Sequence, residues 1–373
     1  MSTAKEHAVI ERIHAAGREC VVALTGGGSR AIADLLAVPG ASASVLEAIV
    51  PYAATSLAEW LGGKFDQACS DRTARAMAMA AFERARKLSE SDSEKLRGIG
   101  TTASLATNRP KRGPHRIHVG WQSAEATVSY SCELVKGRRI RVEEEAVATD
   151  LVLHVIAEAC GVADEAAAEP SVDEPIVRRE QQASREWQEL LLGKRQSVEY
   201  RIAAAPKLVF SGAFNPPHEG HRRIIKVAAD RCNSEVAMEL SIVNVDKPTL
   251  DFIEIADRLE NFGSAPVLLT RAPTFVEKAA LVPGSTFVVG ADTIARIADE
   301  KYYDGNLDKR DSAIAAIASR GCRFLVFGRA VEGRFILPSD LNLPRQLREL
   351  CDEVRESEFR CDVSSTELRT AAE

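Results

Sequence analysis

The sequence predicts an α/β protein of two domains, and three observations predict it. Short apolar, β-rich runs alternate with helical stretches, which calls for strands joined by crossover helices in parallel sheets. The alternation is interrupted once, by a polar, proline-containing segment near the middle. The chain has 373 residues, more than one ordinary core organises, and two domains of about 150–200 residues fit that length.

Taken in order, residues 4–16 have helical spacing and Cys20–Leu24 form a short apolar strand. Gly26–Gly28 supply a tight turn and Ser29–Leu36 begin a helix. Thr127–Leu134 read as a strand ending in a KGRR turn, followed by a long helix over Glu143–Cys160. The least periodic stretch, Val162–Ser197, contains ADEAAAEPSVDEP, whose prolines and acidic run suit a solvated linker. Its later half continues into RREQQASREWQELLLGKRQ, with helical spacing and Trp187, Leu190 and Leu191 on one stripe. That stripe predicts a helix packed on one domain, or a contact with a second copy of the chain. Beyond it, Leu208–Ser211, Val236–Leu240, Thr286–Val289 and Phe324–Phe327 are apolar strands separated by helical stretches. The expected division is a first α/β domain over 1–163, a linker and connecting helix over 164–203, and a second α/β domain over 204–373.

Hydrophobic residues make up 45% and charged residues 27%, a soluble globular balance. A formal net charge of −6 argues against a nucleic-acid partner and leaves room for small, phosphate-sized basic patches. The eight cysteines include no Cys-x-x-Cys pair, so neither a disulfide scaffold nor a zinc knuckle is expected, and no metal ligand set is assigned. No apolar run reaches the ~20 residues of a membrane span, and MSTAKEHAVIERIH lacks a signal-peptide core. A cytoplasmic protein without a membrane partner is expected, with homo-oligomerisation left open.

The strongest chemical signal is KLVFSGAFNPPHEGHRRIIKVAADR. An apolar strand enters a glycine- and proline-rich turn, and a helix leaves it at about Glu219. Ligands of open parallel sheets bind beyond the carboxyl ends of strands, where this turn must lie. The helix start offers unpaired N–H groups and a positive dipole end to a polyphosphate. Gly212 permits close backbone approach, and Pro216 and Pro217 stiffen the loop. His218 and His221, three apart at the helix entry, can project to one side and donate to charge building on a phosphate.

The run Ser211, Gly212, Ala213, Phe214, Asn215, Pro216, Pro217, His218, Gly220 and His221 resembles the nucleotide-binding turn of the nicotinamide/nicotinate mononucleotide adenylyltransferases, within the nucleotidyltransferase superfamily. Three later segments fit that family in order. VVGADTIARI places Gly290 and Asp292 just past a strand, as in the element beside the nucleotide ribose. FLVFGR puts Arg329 at a strand end. DVSSTELR resembles the Ser-Ser-Thr-x-x-Arg element, whose Ser364, Ser365 and Thr366 would hold the outer phosphates with Arg369 as a charge partner. On its own that segment is also an ordinary capped helix start. Lys247 and Arg258 resemble basic residues that the family sets beside its phosphate substrates; the alternative is two solvated side chains.

The resemblance implies a Rossmann-like fold with a parallel sheet and an ATP-dependent nucleotidyl transfer. His218, His221 and Arg369 would be the catalytic groups, and Mg2+ would accompany ATP. Such chemistry needs positioning and electrostatics rather than a side-chain nucleophile. The expected partners are ATP and a mononucleotide. The family's aromatic stacking position for a nicotinamide ring is not evident. Two other readings stand beside this one: a nucleotide sensor without turnover, and adenylyl or cytidylyl transfer to another phosphorylated acceptor.

Residues 19–62 resemble the C-terminal domain of the CinA family, which includes nicotinamide mononucleotide deamidases, through Thr25-Gly26-Gly27, Pro39-Gly40-Ala41-Ser42 and Tyr52. The likeness continues loosely through GIGTTASLATNRP to EACG. Active members carry a serine two places before the Thr-Gly-Gly and a lysine five places after the tyrosine; this chain has Ala23 and Leu57 there. Alanine and leucine cannot form a nucleophile and its base. Ser29 and Ser56 are nearby hydroxyls outside the family's position. Ligand binding without hydrolysis, a structural or oligomerising role, and retained hydrolysis are the readings left by this pattern.

Overall fold

The computed structural model describes residues 4–109, 112–162, 173–331 and 334–360. Its contacts divide the chain into two compact units, Met1–Gln188 with Asp246–Ile255, and Glu189–Val245 with Ala256–Glu373.

The first unit runs α1 (Ala4–Ala15), β1 (Glu19–Thr25), α2 (Arg30–Ala37), β2 (Val45–Ile49), α3 (Ala54–Leu61), α4 (Asp71–Leu88), β3 (Leu96–Ser104), β4 (His115–Gln122), β5 (Ala126–Leu134), α5 (Arg141–Ala159) and β6 (Ile176–Gln182). Its six strands lie in the order β2-β1-β3-β4-β5-β6. β1 pairs parallel with β2 and β3, but β3, β4, β5 and β6 pair antiparallel. The sheet expected to be parallel is therefore mixed. For β4 and β5 the cause is connection length: only residues 123–125 separate them, too few for a crossover helix.

β1 forms because ECVVALT is buried on both faces, with Val21, Ala23 and Leu24 fully enclosed. α1, α2 and α5 contribute Ile10, Leu35 and Val152 to the core on one side. α4 covers the other side, its start fixed by Ser70, whose Oγ accepts the Thr73 N–H at 3.1 Å. Residues 246–255 belong to this unit by their contacts. Thr249 Oγ1 donates to Glu83 at 2.9 Å, the Phe252 N–H donates to Thr127 Oγ1 at 3.0 Å, and the Trp187 ring stacks on Phe252.

The second unit contains α6 (Arg185–Leu191, which begins in the first unit), β7 (Ser197–Tyr200), β8 (Leu208–Ser211), α7 (Glu219–Cys232), β9 (Val236–Ser241), α8 (Phe252–Asn261, whose residues up to Ile255 are counted with the first unit), β10 (Val267–Thr270), α9 (Phe275–Leu281), β11 (Thr286–Gly290), α10 (Ala291–Ala298), α11 (Leu307–Ser319), β12 (Arg323–Phe327), the hairpin β13 (Arg329–Val331) and β14 (Arg334–Ile336), α12 (Arg345–Glu349) and β15 (Cys351–Val354). The seven-stranded sheet has the order β15-β12-β11-β8-β9-β10-β7 and is parallel except at β7, which runs against β10. The chain steps outward from β8 through β9 to β10, then returns to the opposite flank of β8 at β11. This reversal opens a crevice at the carboxyl ends of β8 and β11. Phe275, Phe287 and Phe324 pack edge-on and tilted in the core beneath it.

The stretch read as a linker is not wholly one. Its RREQQ run, expected to be helical, is the edge strand β6, and β7 lies in the second sheet. β6 has four consecutive exposed residues, so no apolar pattern advertises it. The helix expected there is confined to α6, with Leu190 and Leu191 buried. Among the described residues every cysteine is a free thiol, and Cys20, Cys132, Cys160 and Cys322 are buried. No described helix is long and apolar enough to cross a membrane.

Candidate nucleotide site

β8 enters the turn buried, and the Gly212 N–H extends its ladder by donating to the Glu239 carbonyl at 3.2 Å. A Cβ on Gly212 would come within 2.8–3.1 Å of three Phe214 ring atoms, so only glycine leaves room for that ring. Phe214, itself at φ +47°, sits edge-on to Phe210, His221 and Phe262 with centroids 5.1–5.3 Å apart. It is 2% exposed. Its ring therefore belongs to the core, and its backbone is what the turn presents to a ligand. Ala213 is exposed and Asn215 half-buried; Gly220 is buried in the first turn of α7.

His218 is the N-cap of α7. Its Nδ1 accepts the Gly220 N–H at 3.1 Å, and the His221 Nδ1 accepts the His218 N–H at 3.1 Å. The ring centroids are 3.8 Å apart. Because each Nδ1 accepts, each neutral ring carries its proton on Nε2, leaving two N–H donors side by side at a helix N-terminus. Burial, and then the neighbouring His218, pushes His221 down to about 4; burial also lowers His218. The pair is thus neutral near pH 7 and donates without carrying charge.

This sets a pH dependence of stability. The folded pKa of His221 lies below the unfolded value of 6.5, so the unfolded chain takes up the proton first as pH falls. The stability due to neutral His221 is present above about pH 6.5 and is lost toward pH 4. The wild-type thermal midpoint is expected to fall relative to that of His221→Gln between pH 7 and 4.5; a constant difference would contradict the buried, neutral imidazole.

At the neighbouring strand ends, Gly290 caps α10 and Asp292 stands in its first turn, exposed and ion-paired with Arg329, which opens β13 just past β12. Gly290, Asp292 and Arg329 therefore gather at the carboxyl ends of β11 and β12, next to the turn after β8. Phe359 packs edge-on to Phe327 at 5.1 Å with Arg223 of α7 over its ring. Ser364, Ser365, Thr366 and Arg369 lie outside the described residues. Lys247 is exposed in the segment counted with the first unit. Arg258 is 5% exposed on α8 in the second, so it is a buried group rather than a solvated one.

The sequence reading missed a buried group on the same strands: Glu239, held by Lys278 and Thr270. A carboxylate inside the apolar run VAMELS was the available signal.

The first unit has its own cavity, about 860 Å³, lined among others by Thr25, Gly26, Gly27, Ser29, Tyr52 and Arg141. The α2 N-terminus on its wall is already satisfied: the Ser29 N–H and Oγ donate to Glu145 at 2.8 and 3.1 Å. Arg141 donates to the Gly26 carbonyl at 2.9 Å. Ala23 and Leu57 meet in one buried apolar cluster with Leu61 and Met77. The two positions at which the sequence departs from the deamidase pattern are thus neighbours in space, closed to water.

Residues 209–371 match the family model described as cytidylyltransferase-like. A probable nicotinate-nucleotide adenylyltransferase of Gloeobacter violaceus is 28% identical over 177 residues, covering 43% of this chain and 81% of that protein. Among solved structures, the competence/damage inducible protein CihA of Agrobacterium tumefaciens is 18% identical with a TM-score of 0.33, covering 43% of this chain and 96% of its own. A CinA superfamily protein of Klebsiella pneumoniae is 14% identical with a TM-score of 0.35, covering 42% of this chain and 98% of its own. The strand order around β8 and the family match together identify residues 209–371 as a nucleotidyltransferase domain of the cytidylyltransferase-like kind.

Proposed function

We propose that the chain transfers an adenylyl group from ATP to nicotinamide or nicotinate mononucleotide and releases pyrophosphate, a step of NAD biosynthesis. The observation that carries this reading is the pair of neutral imidazoles at the start of α7, each with its Nε2–H free to donate. A phosphate oxygen of the acceptor attacks the α-phosphorus in line. The bond from that phosphorus to the bridging oxygen breaks, and the electron pair leaves with pyrophosphate. His218 and His221 donate to the oxygens that gain charge, and the first-turn N–H groups of α7 add to that field. Among the described residues no cluster of three or more His, Cys, Asp or Glu side chains stands ready to hold a metal ion. Mg2+ is proposed to accompany the triphosphate, whose charge it would neutralise. Ser364–Thr366 and Arg369 are proposed to close the outer phosphates, Asp292 and Arg329 to flank the ribose, and Arg258 to serve the acceptor side; Lys247, counted with the first unit, is not carried into this site.

The test offers ATP or CTP with magnesium to nicotinamide mononucleotide, nicotinate mononucleotide, phosphopantetheine or no acceptor, and records pyrophosphate. Release with ATP and a pyridine mononucleotide is expected. The cytidylyltransferase-like match is the reason for the CTP arm: release with CTP alone would replace the donor. Release only with phosphopantetheine would discard the pyridine acceptor, and no release at all would leave a nucleotide sensor.

For the first unit we propose ligand binding without amide hydrolysis. Ala23 and Leu57 supply no nucleophile and no base, and the Ser29 hydroxyl is committed to Glu145. The wild-type protein is expected to release no ammonia from nicotinamide mononucleotide; release above that of a heat-denatured sample would restore the hydrolase reading.

A further inference from the structure

Glu239 is the one charged residue of β9, and it is 1% exposed. A carboxylate removed from water is tolerated when it is paired and its lone pairs are used. Lys278 Nζ donates to both of its oxygens at 2.7 and 2.8 Å, and Thr270 Oγ1 donates to Oε1 at 2.5 Å. Lys278 is 7% exposed and comes from α9. The start of that helix is fixed by Thr274 and Glu277, each side chain bonded to the other's backbone N–H. The carboxylate is therefore clamped from two elements, α9 and β10.

The backbone of the same residue faces the nucleotide turn. Glu239 accepts the Gly212 N–H and is the Cα partner of Ser211. Partners in register share a face of the sheet, so Ser211 and Glu239 project to the same side. The Ser211 Oγ is buried there with no hydrogen-bond partner among the described residues.

We infer that Lys278, acting through Glu239, is a positioning residue for the turn that begins at Gly212; this rests on the reading of that turn as the holder of a triphosphate. Clamping the side chain fixes Glu239 along the strand, and the Gly212 N–H bond carries that position into the first residues of the turn. The group that touches nucleotide is the turn; Lys278 and Thr270 set where it lies.

The test compares the full-length wild type, Lys278→Met, the double variant Glu239→Met with Lys278→Met, and Thr270→Val. Each is measured for thermal midpoint, for Mg–ATP affinity by calorimetry, and for KM and kcat in pyrophosphate release. Lys278→Met strands a buried carboxylate and is expected to lower the midpoint, while the double variant removes both charges and is expected to recover it. If the clamp positions the turn, the double variant still binds ATP about tenfold more weakly, with KM for ATP raised and kcat less affected. Thr270→Val, which removes one donor and keeps the shape, is expected to weaken ATP about threefold. Wild-type ATP affinity in the recovered double variant would reduce the network to a stability device and overturn the inference, with the reading of the turn intact. Wild-type affinity in Thr270→Val overturns it likewise should the double variant not fold. A wild-type protein that binds no ATP would overturn the reading of the turn, and the inference with it.

Discussion

Replacing His221 with alanine is expected to lower pyrophosphate release by at least about a hundredfold, the scale on which loss of one donor to a developing oxyanion is felt. The reason lies in the tautomer. The His221 Nδ1 is occupied by the His218 N–H, and the His218 Nδ1 by the Gly220 N–H. The cap thus fixes which nitrogen of each ring is left to donate, and burial keeps both rings neutral. Alanine removes the donor, the ring packed on Phe210 and Phe214, and one cap bond together. A loss of stability of about 1–2 kcal/mol is expected beside the loss of rate. His221→Gln separates the two, because its terminal amide reaches roughly where Nε2 stood. Gln is expected to retain more activity than Ala at similar stability. Equal residual rates would mean that the ring serves the cap and not the chemistry, and undiminished turnover in the alanine variant would place the site elsewhere.

Much of this site was legible because its chemistry is local in sequence. A strand, a Gly/Pro turn and a helix entry bring Gly212, His218 and His221 together within ten residues. The roles within the turn were less legible. Phe214 stands in a Gly/Pro turn, and nothing in that run marks it as the core side chain that Gly212 makes room for. Asp292 and Arg329 are 37 positions apart, and nothing in their spacing announces the ion pair that the pairing of β11 with β12 creates between the first turn of α10 and the start of β13. Lys278 and Glu239 are likewise joined only by the return of the chain from β10 to β11.

In the first unit the apolar strand β1 and the long helix α5 were plain, whereas β3, β4 and β6 were not. β3 reads LRGIGTTAS, with two glycines and an arginine where a buried strand ordinarily shows branched apolar residues. β6 is charged because an exposed edge strand has no core face to declare. The mixed sheet follows from the same blind spot: without β3 and β4 the three-residue connection that forces β4 and β5 to pair antiparallel is invisible.

Those glycines carry the second large expected effect. Gly98 and Gly100 alternate on β3 and face α4 with no side chain between backbone and backbone. A Cβ on Gly100 would stand 2.2 Å from the Ala74 carbonyl oxygen and 2.4 Å from the Ala78 nitrogen; on Gly98 it would stand 2.1 Å from the Ala78 oxygen. Both are more than about 1 Å short of van der Waals contact, and the obstacle is helix backbone that cannot rotate away. Gly120, the cross-strand partner of Gly100, lies under Arg75 of the same helix. Moving α4 would therefore also disturb the buried guanidinium, which is held by Asp71 at 2.9 Å and by Asp251. Gly100→Ala is expected to destabilise the first unit by about 3 kcal/mol or more. Gly113→Ala, where a Cβ meets nothing within 4 Å, is expected to stay within about 0.5 kcal/mol of wild type. Urea unfolding followed by tryptophan fluorescence isolates the unit, since Trp60, Trp121 and Trp187 all lie in it and are the only tryptophans of the chain. Equal midpoints for the two variants would mean that α4 does not rest on the glycine floor of β3. In that case the tolerance of this strand for glycine would need a cause other than close backbone approach.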